Sequence, residues 1–98
     1  MMKQFQKDVY QNKLNHGFNV TDVGYEFLLL YGEVGEAYEA WLKKHDDFGE
    51  ELADVAIYLM GIAEICGIDL EEQVRAKIEK NKKRKYGMIN GVPQKIEE

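Results

Sequence analysis

A single proline interrupts this chain, and it is Pro93, close to the end. Proline removes a helical hydrogen bond and clashes with the preceding turn, so long proline-free stretches are open to helix. Apolar residues here recur at three- and four-residue steps rather than alternating. The pattern predicts four helices. The first runs from about Lys3 to His16, with Phe5 and Val9 on its inner stripe, and stops at Gly17-Phe18-Asn19. The second follows a Thr21-Asp22 cap and reaches about Lys44, where Lys43, Lys44 and His45 complement the helix dipole. The third starts at Asp46 or Asp47, with Glu50 at capping-box spacing from Asp47, and ends near Cys66 before Gly67. The fourth is capped by Asp69, turns Leu70, Val74 and Ile78 inward, and ends near Lys85. Residues 87–98 form a tail whose Asn90-Gly91 step signals a short hairpin or an arm.

Ninety-eight residues make one domain with a modest core, so the organisation expected is an all-α four-helix domain over 1–86 followed by the tail 87–98. The net charge of −5 argues against nucleic acid as a partner of the whole surface. No apolar run approaches the ~20 residues that span a bilayer, which gives the expectation of no membrane partner. Cys66 stands alone and no signal peptide is visible, both consistent with a reducing, cytoplasmic setting.

Four acids break the apolar patterning in a regular way. Glu33 and Glu36 lie three residues apart in YGEVGEA, and Glu51 and Asp54 repeat the step in GEELADVA. From Leu52 to Ala63 the chain reads LADVAIYLMGIA, with Asp54 its only charge. An ionised carboxylate enters such a stretch at a cost unless it is paired or coordinated. Residues three apart on a helix have β-carbons about 5–6 Å apart. Glu33 and Glu36 share the ridge of Leu29 and Ala40, and Glu51, Asp54 and Tyr58 share another. A short link joins the two helices, so they are expected to pack antiparallel and to face the acid pairs toward each other. Close carboxylates repel and raise one another's pKa, and a hard divalent cation reverses the sign of that interaction. Mg²⁺, or Mn²⁺ in its place, takes oxygen ligands together with substrate phosphates. A di-iron carboxylate site would need Glu-x-x-His pairs, and neither His16 nor His45 has that spacing. No Cys-His zinc spacing, P-loop or Gly-x-Ser-x-Gly turn occurs.

The E-x-x-E, spacer, E-x-x-D order in GEVGEAYEAW and GEELADVAIYL resembles the all-α nucleoside triphosphate pyrophosphohydrolases, the MazG-like superfamily. GIDLEEQVRAKIEKNKKR is similar to that family's last helix, and Asn12 or Asn15 before Gly17-Phe18 is similar to its N-terminal segment. The resemblance implies a four-helix bundle completed by homo-oligomerisation, as homodimer or homotetramer. It implies Mg²⁺-dependent cleavage of a nucleoside triphosphate to monophosphate and pyrophosphate, of the nucleotide-pool house-cleaning type. It assigns metal binding to Glu33, Glu36, Glu51 and Asp54, and phosphate or sugar contacts to Lys77 and Asn81. Arg84, in the basic run KNKKRK, is a further phosphate partner. Glu36 is the expected general base. A base slot needs rings to stack and an amide to bond an edge, for which Phe5, Asn12, Phe18 and Trp41 are available. Phosphoribosyl-ATP pyrophosphohydrolase shares the acidic motif and is one alternative. A nucleotide or metal sensor without turnover, and a helical dimerisation module with incidental acids, are two others.

The third helix carries Leu52, Val55, Ala56, Ile57, Leu59, Met60 and Ile62, so it is apolar on more than one face. Such a helix is buried on more than one side. Four helices of this length cover it poorly, which is an independent reason to expect an oligomer.

Overall fold

The computed structural model describes residues 1–97. Four helices, α1 (Met2–Asn15), α2 (Val23–Leu42), α3 (Phe48–Ile65) and α4 (Leu70–Lys83), are followed by strands β1 (Lys85–Ile89) and β2 (Val92–Glu97). The all-α architecture read from the sequence is the one observed, with a small antiparallel hairpin appended. Asn90 and Gly91 both adopt positive φ, 53° and 78°, at the hairpin turn. That is the backbone a two-residue type I′ connection requires, and Asn-Gly is the pair that adopts it most readily. Ile89 pairs with Val92 across the turn.

Helix ends follow local chemistry. The Asp22 side chain accepts a hydrogen bond from the Tyr25 amide at 3.0 Å, and Asp69 does the same for Glu72 at 3.1 Å. Asp47 makes no such bond, so the expected capping box at α3 is absent. Its backbone lies at ψ 15°, near-helical rather than extended, which takes the carboxylate away from the α3 amides. After α3, Gly67 N–H donates to Glu64 O at 3.1 Å and Ile68 N–H to Ala63 O at 2.8 Å. This Schellman pair satisfies otherwise orphaned carbonyls, with Gly67 in the left-handed region at φ 69°. The end of α2 has the same two bonds, from Lys44 to Trp41 O and from His45 to Ala40 O.

The link 43–47 turns α3 back along α2, and this pair is the main packing unit. α1 lies across α3, and α4 packs on α1. Gln6 ties these parts together. It is buried, its Nε2 donates to Ile68 O at 2.6 Å, and its Oε1 accepts from Leu70 N at 3.2 Å. The buried apolar residues among those described are few, three of them alanines: Ala37, Ala40, Ile62 and Ala63. Val74 and Ile78, expected to turn inward, are exposed on α4 in the single chain. Phe5, expected on the inner stripe of α1, is exposed as well. Among the described residues the main helix contact of α4 is with α1, and Val74 and Ile78 lie on its exposed face. No helix of the described chain is long and apolar enough to cross a membrane.

Candidate metal and nucleotide site

α2 and α3 each carry an acidic residue every third position where they face each other. Glu33, Glu36 and Glu51 each offer a carboxylate oxygen, and these oxygens lie within 4.8 Å of one another. Glu33 Oε2 and Glu51 Oε2 are out of reach of solvent and accept no hydrogen bond. Burial pushes the Glu33 carboxyl up from its ordinary pKa, and the neighbouring Glu36, Asp54 and Glu51 carboxylates push the same way. Glu51 is raised too, first by burial and then by the charges of Asp47, Glu36, Asp54 and Glu50. Asp54 is exposed at the edge of this group, near enough for its charge to act on both glutamates.

Buried anionic oxygens without donors are costly. A cation coordinated between them supplies what they lack. Three hard carboxylate oxygens with no nitrogen or sulfur donor suit Mg²⁺ or Mn²⁺ rather than zinc or copper. The residues present therefore fit a divalent ion of that kind.

Behind the acids lies a second charged group that the sequence reading missed in part. Glu26, seven residues before Glu33 on α2, is 1% exposed, and Lys13 of α1 is 8% exposed. Lys13 Nζ meets Glu26 Oε1 at 2.5 Å, and Asn19 Nδ2 donates to Glu26 Oε2 at 3.1 Å. The Lys13 ammonium also lies 5.5 Å from the centre of the Tyr58 ring. The Tyr58 hydroxyl is held above its ordinary pKa, by burial first and then by Glu33, Glu26 and Asp54. It is a protonated donor at neutral pH. Glu26 shares the α2 ridge of Leu29 and Glu33, so its inward position follows from helical spacing. That of Lys13 does not, because a lysine in a polar helix carries no mark of burial in the sequence.

A cleft of about 310 Å³ opens beside this group. Asp8, Val9, Asn12 and Lys13 of α1 form one wall, Ile57 and Tyr58 of α3 the other, and Phe18 closes an end. His16 stacks on the Phe18 ring at 5.3 Å between centroids. Of the four residues proposed from sequence for a base slot, Asn12 and Phe18 line this cleft. Phe5 is exposed on α1, and Trp41 sits against Tyr38 beside a shallow apolar groove at the α2–α3 turn. Lys77 and Asn81 are exposed on α4, and Arg84 ends that helix. α4 packs on α1, and the contacts seen between them lie at the start of α4, where Gln6 accepts from Leu70 N and the Met1 ammonium meets Glu71. Asp8 was not singled out from sequence, although its i,i+4 relation to Asn12 puts both on one helix face.

The family model of the MazG-like family matches residues 28–97, which contain all four acids. The chain belongs to the MazG-like family. Among curated proteins, it is 35% identical over 71 residues to dCTP pyrophosphatase 1 of Bos taurus. It is 37% identical over 71 residues to the Mus musculus protein of the same name and 38% to that of Rattus norvegicus. Each match covers 58% of this chain and 42% of the relative, so the chain spans less than half the length of the curated relatives it matches. No solved structure gives a significant match.

Proposed function

We propose that this MazG-like protein is a divalent-cation-dependent nucleoside triphosphate pyrophosphohydrolase of the house-cleaning type. One observation carries the reading. Glu33, Glu36 and Glu51 converge with two buried oxygens that no protein donor satisfies. The family match and the relatives named as dCTP pyrophosphatases point to the same chemistry.

Glu33, Glu36 and Glu51 would hold the ion, with Asp54 joining from the edge. A bound Mg²⁺ would neutralise polyphosphate charge and acidify water. Glu36, the most exposed of the three clustered glutamates, is the residue to take the proton. A water oxygen bonds to the α-phosphorus, its proton passes to Glu36, and the bridging oxygen to the β-phosphorus leaves with pyrophosphate. The Tyr58 hydroxyl donates toward the nucleotide from beside the acids. Asn12 and Phe18 hold the base. Lys77, Asn81 and Arg84 contribute to phosphate or sugar binding in a homo-oligomer, where a second subunit would lie against the exposed Val74–Ile78 face of α4.

Incubating the protein with each common and damaged (d)NTP, with Mg²⁺, Mn²⁺ or chelator, tests the reading. The expected result is metal-dependent release of equal amounts of monophosphate and pyrophosphate. Glu36→Gln should lower turnover by about 10²–10⁴-fold, the usual worth of a general base. Intact nucleotides across the whole panel would overturn the proposal.

A further inference from the structure

The cleft between α1 and α3 has a polar edge formed by Asp8 and Asn12. Asp8 and Asn12 stand one helical turn apart on α1, so their side chains are neighbours on the same face. Gln4 Nε2 donates to Asp8 Oδ1 at 2.9 Å, which orients the carboxylate. Among the described residues, Asp8 Oδ2 and the Asn12 side-chain amide have no protein partner, while the Asn12 backbone carbonyl is taken by His16. Val9, Ile57, Phe18 and Tyr58 supply the apolar and aromatic walls, and Lys13, whose ammonium is paired with Glu26, completes the lining. The Phe18 ring is backed by His16. Tyr58 connects the cleft to the acids, since Glu33 and Asp54 both act on its hydroxyl. A flat ring lying between Phe18 and Tyr58 would thus have its edge at Asp8 and Asn12 and its phosphates toward Glu33 and Glu36.

A carboxylate only accepts hydrogen bonds, whereas an amide nitrogen donates. We propose that Asp8 is a specificity-determining residue that, with Asn12, recognises the 4-aminopyrimidine edge shared by cytosine and adenine. Asp8 accepts from the exocyclic amino group, and the Asn12 amide donates to the adjacent ring nitrogen. Uracil, thymine and hypoxanthine place a carbonyl oxygen where the amino group would be. Two acceptors then face each other, and the neighbouring ring N–H points at a donor. Guanine presents the same mismatch on that edge. The inference rests on the pyrophosphohydrolase reading for its place in a reaction, but the recognition step is separable from turnover.

Matched substrates isolate the amino-to-oxo change. dCTP against dUTP and dATP against dITP are compared by pyrophosphate release, in wild type and Asp8→Asn. The expected preference in kcat/KM is about ten- to hundredfold for the amino partner of a pair, the range for a charge-assisted hydrogen bond. A preference in the cytosine pair alone, or in both pairs, identifies which base the cleft admits. Asp8→Asn can turn its amide to donate, so the preference should fall below about threefold, with kcat for the oxo substrate retained or raised. Calorimetry of dCMP, dUMP, dAMP and dIMP with the metal-free protein asks the same question without catalysis. Hydrolysis of all four triphosphates at equal efficiency would overturn the role of Asp8 and leave the pyrophosphohydrolase reading standing. Tighter binding of dCMP over dUMP, lost in Asp8→Asn, would support the role of Asp8 even if no triphosphate were cleaved. An amino preference unchanged in Asp8→Asn would assign the selection to another residue and overturn the proposal.

Discussion

At Glu33, burial and three neighbouring carboxylates all favour the protonated form. Glu51 feels the same forces from its side of the α2–α3 interface. A carboxyl whose folded pKa lies above its unfolded value binds protons more tightly when folded, so its contribution to stability falls as pH rises. The loss begins near the ordinary value of 4.5 and is complete above the raised folded value. Glu71 has the opposite sign. Hydrogen bonds from the Met1 ammonium and the Lys3 amide hold its pKa down. Its contribution is present above the unfolded pKa and is lost as pH falls through the folded one. In the metal-free protein at pH 7 and above, Glu33→Gln should therefore raise the melting temperature by removing a repelled charge. Mg²⁺ should raise the melting temperature of the wild type and do so much less in the variant. Differential scanning calorimetry with and without chelator reads both effects. A metal-free Glu33→Gln protein that melts below wild type would show that Glu33 is not under electrostatic stress.

Between elements, the Lys13–Glu26 pair joins α1 to α2, with the Tyr58 ring of α3 facing the ammonium and Gly61 against the lysine stem. A side chain added at Gly61 would meet Lys13 Cε at 2.9 Å, so the glycine leaves the room through which the lysine passes. Removing one member of a buried pair strands the other charge and costs about 3–5 kcal/mol, whereas replacing both by apolar groups of similar volume is often neutral or stabilising. Lys13→Met should accordingly lower the melting temperature by more than about 10 °C for a domain of this size. The double variant Lys13→Met with Glu26→Leu should recover most of that loss. Equal destabilisation of single and double variants would mean that the two charges are not coupled. At this scale the sequence was legible where periodicity or a local device specifies structure. The helices, the Asp22 and Asp69 caps, the Gly67 stop and the Asn90-Gly91 turn all belong to that class. The convergence of Glu33, Glu36 and Glu51 was legible as well, because a three-residue step fixes a helix face and a short link fixes the partner. The Lys13 contact and the Asp8–Asn12 edge depend on how α1 crosses α3, and no local signal encodes a crossing. Asp47 looked like a cap by spacing, but its backbone angle decided otherwise.

Across the whole molecule, the radius of gyration of 16.6 Å exceeds the ~13 Å expected of a compact chain near 100 residues. α4, whose main helix contact among the described residues is with α1, contributes to this extension. Large apolar side chains are left uncovered along α2, at Leu28, Tyr31, Tyr38 and Trp41, and on α3 at Leu52 and Leu59. Among the described residues the buried apolar side chains are three alanines and one isoleucine, a small core for four helices, and an apolar surface of this extent is one that a second chain would cover. A groove lined by Val34, Tyr38, Trp41, Phe48, Leu52 and Val55 runs along the α2–α3 face almost without polar atoms. A second copy presents the same face, so a two-fold contact of α2–α3 on α2–α3 is self-complementary and closes without leaving an edge. The same step would cover Val74 and Ile78 if α4 of one chain crosses its partner, and would carry Lys77 and Asn81 toward the partner's acids. Light scattering during gel filtration should give at least a dimer at micromolar concentration. Tyr38→Lys with Leu52→Lys should shift it toward monomer and lower activity together with mass. A wild-type protein that remains monomeric at high concentration would require the exposed apolar face to be stable in water, and would remove the reason for grouping α4 with the acids of another chain.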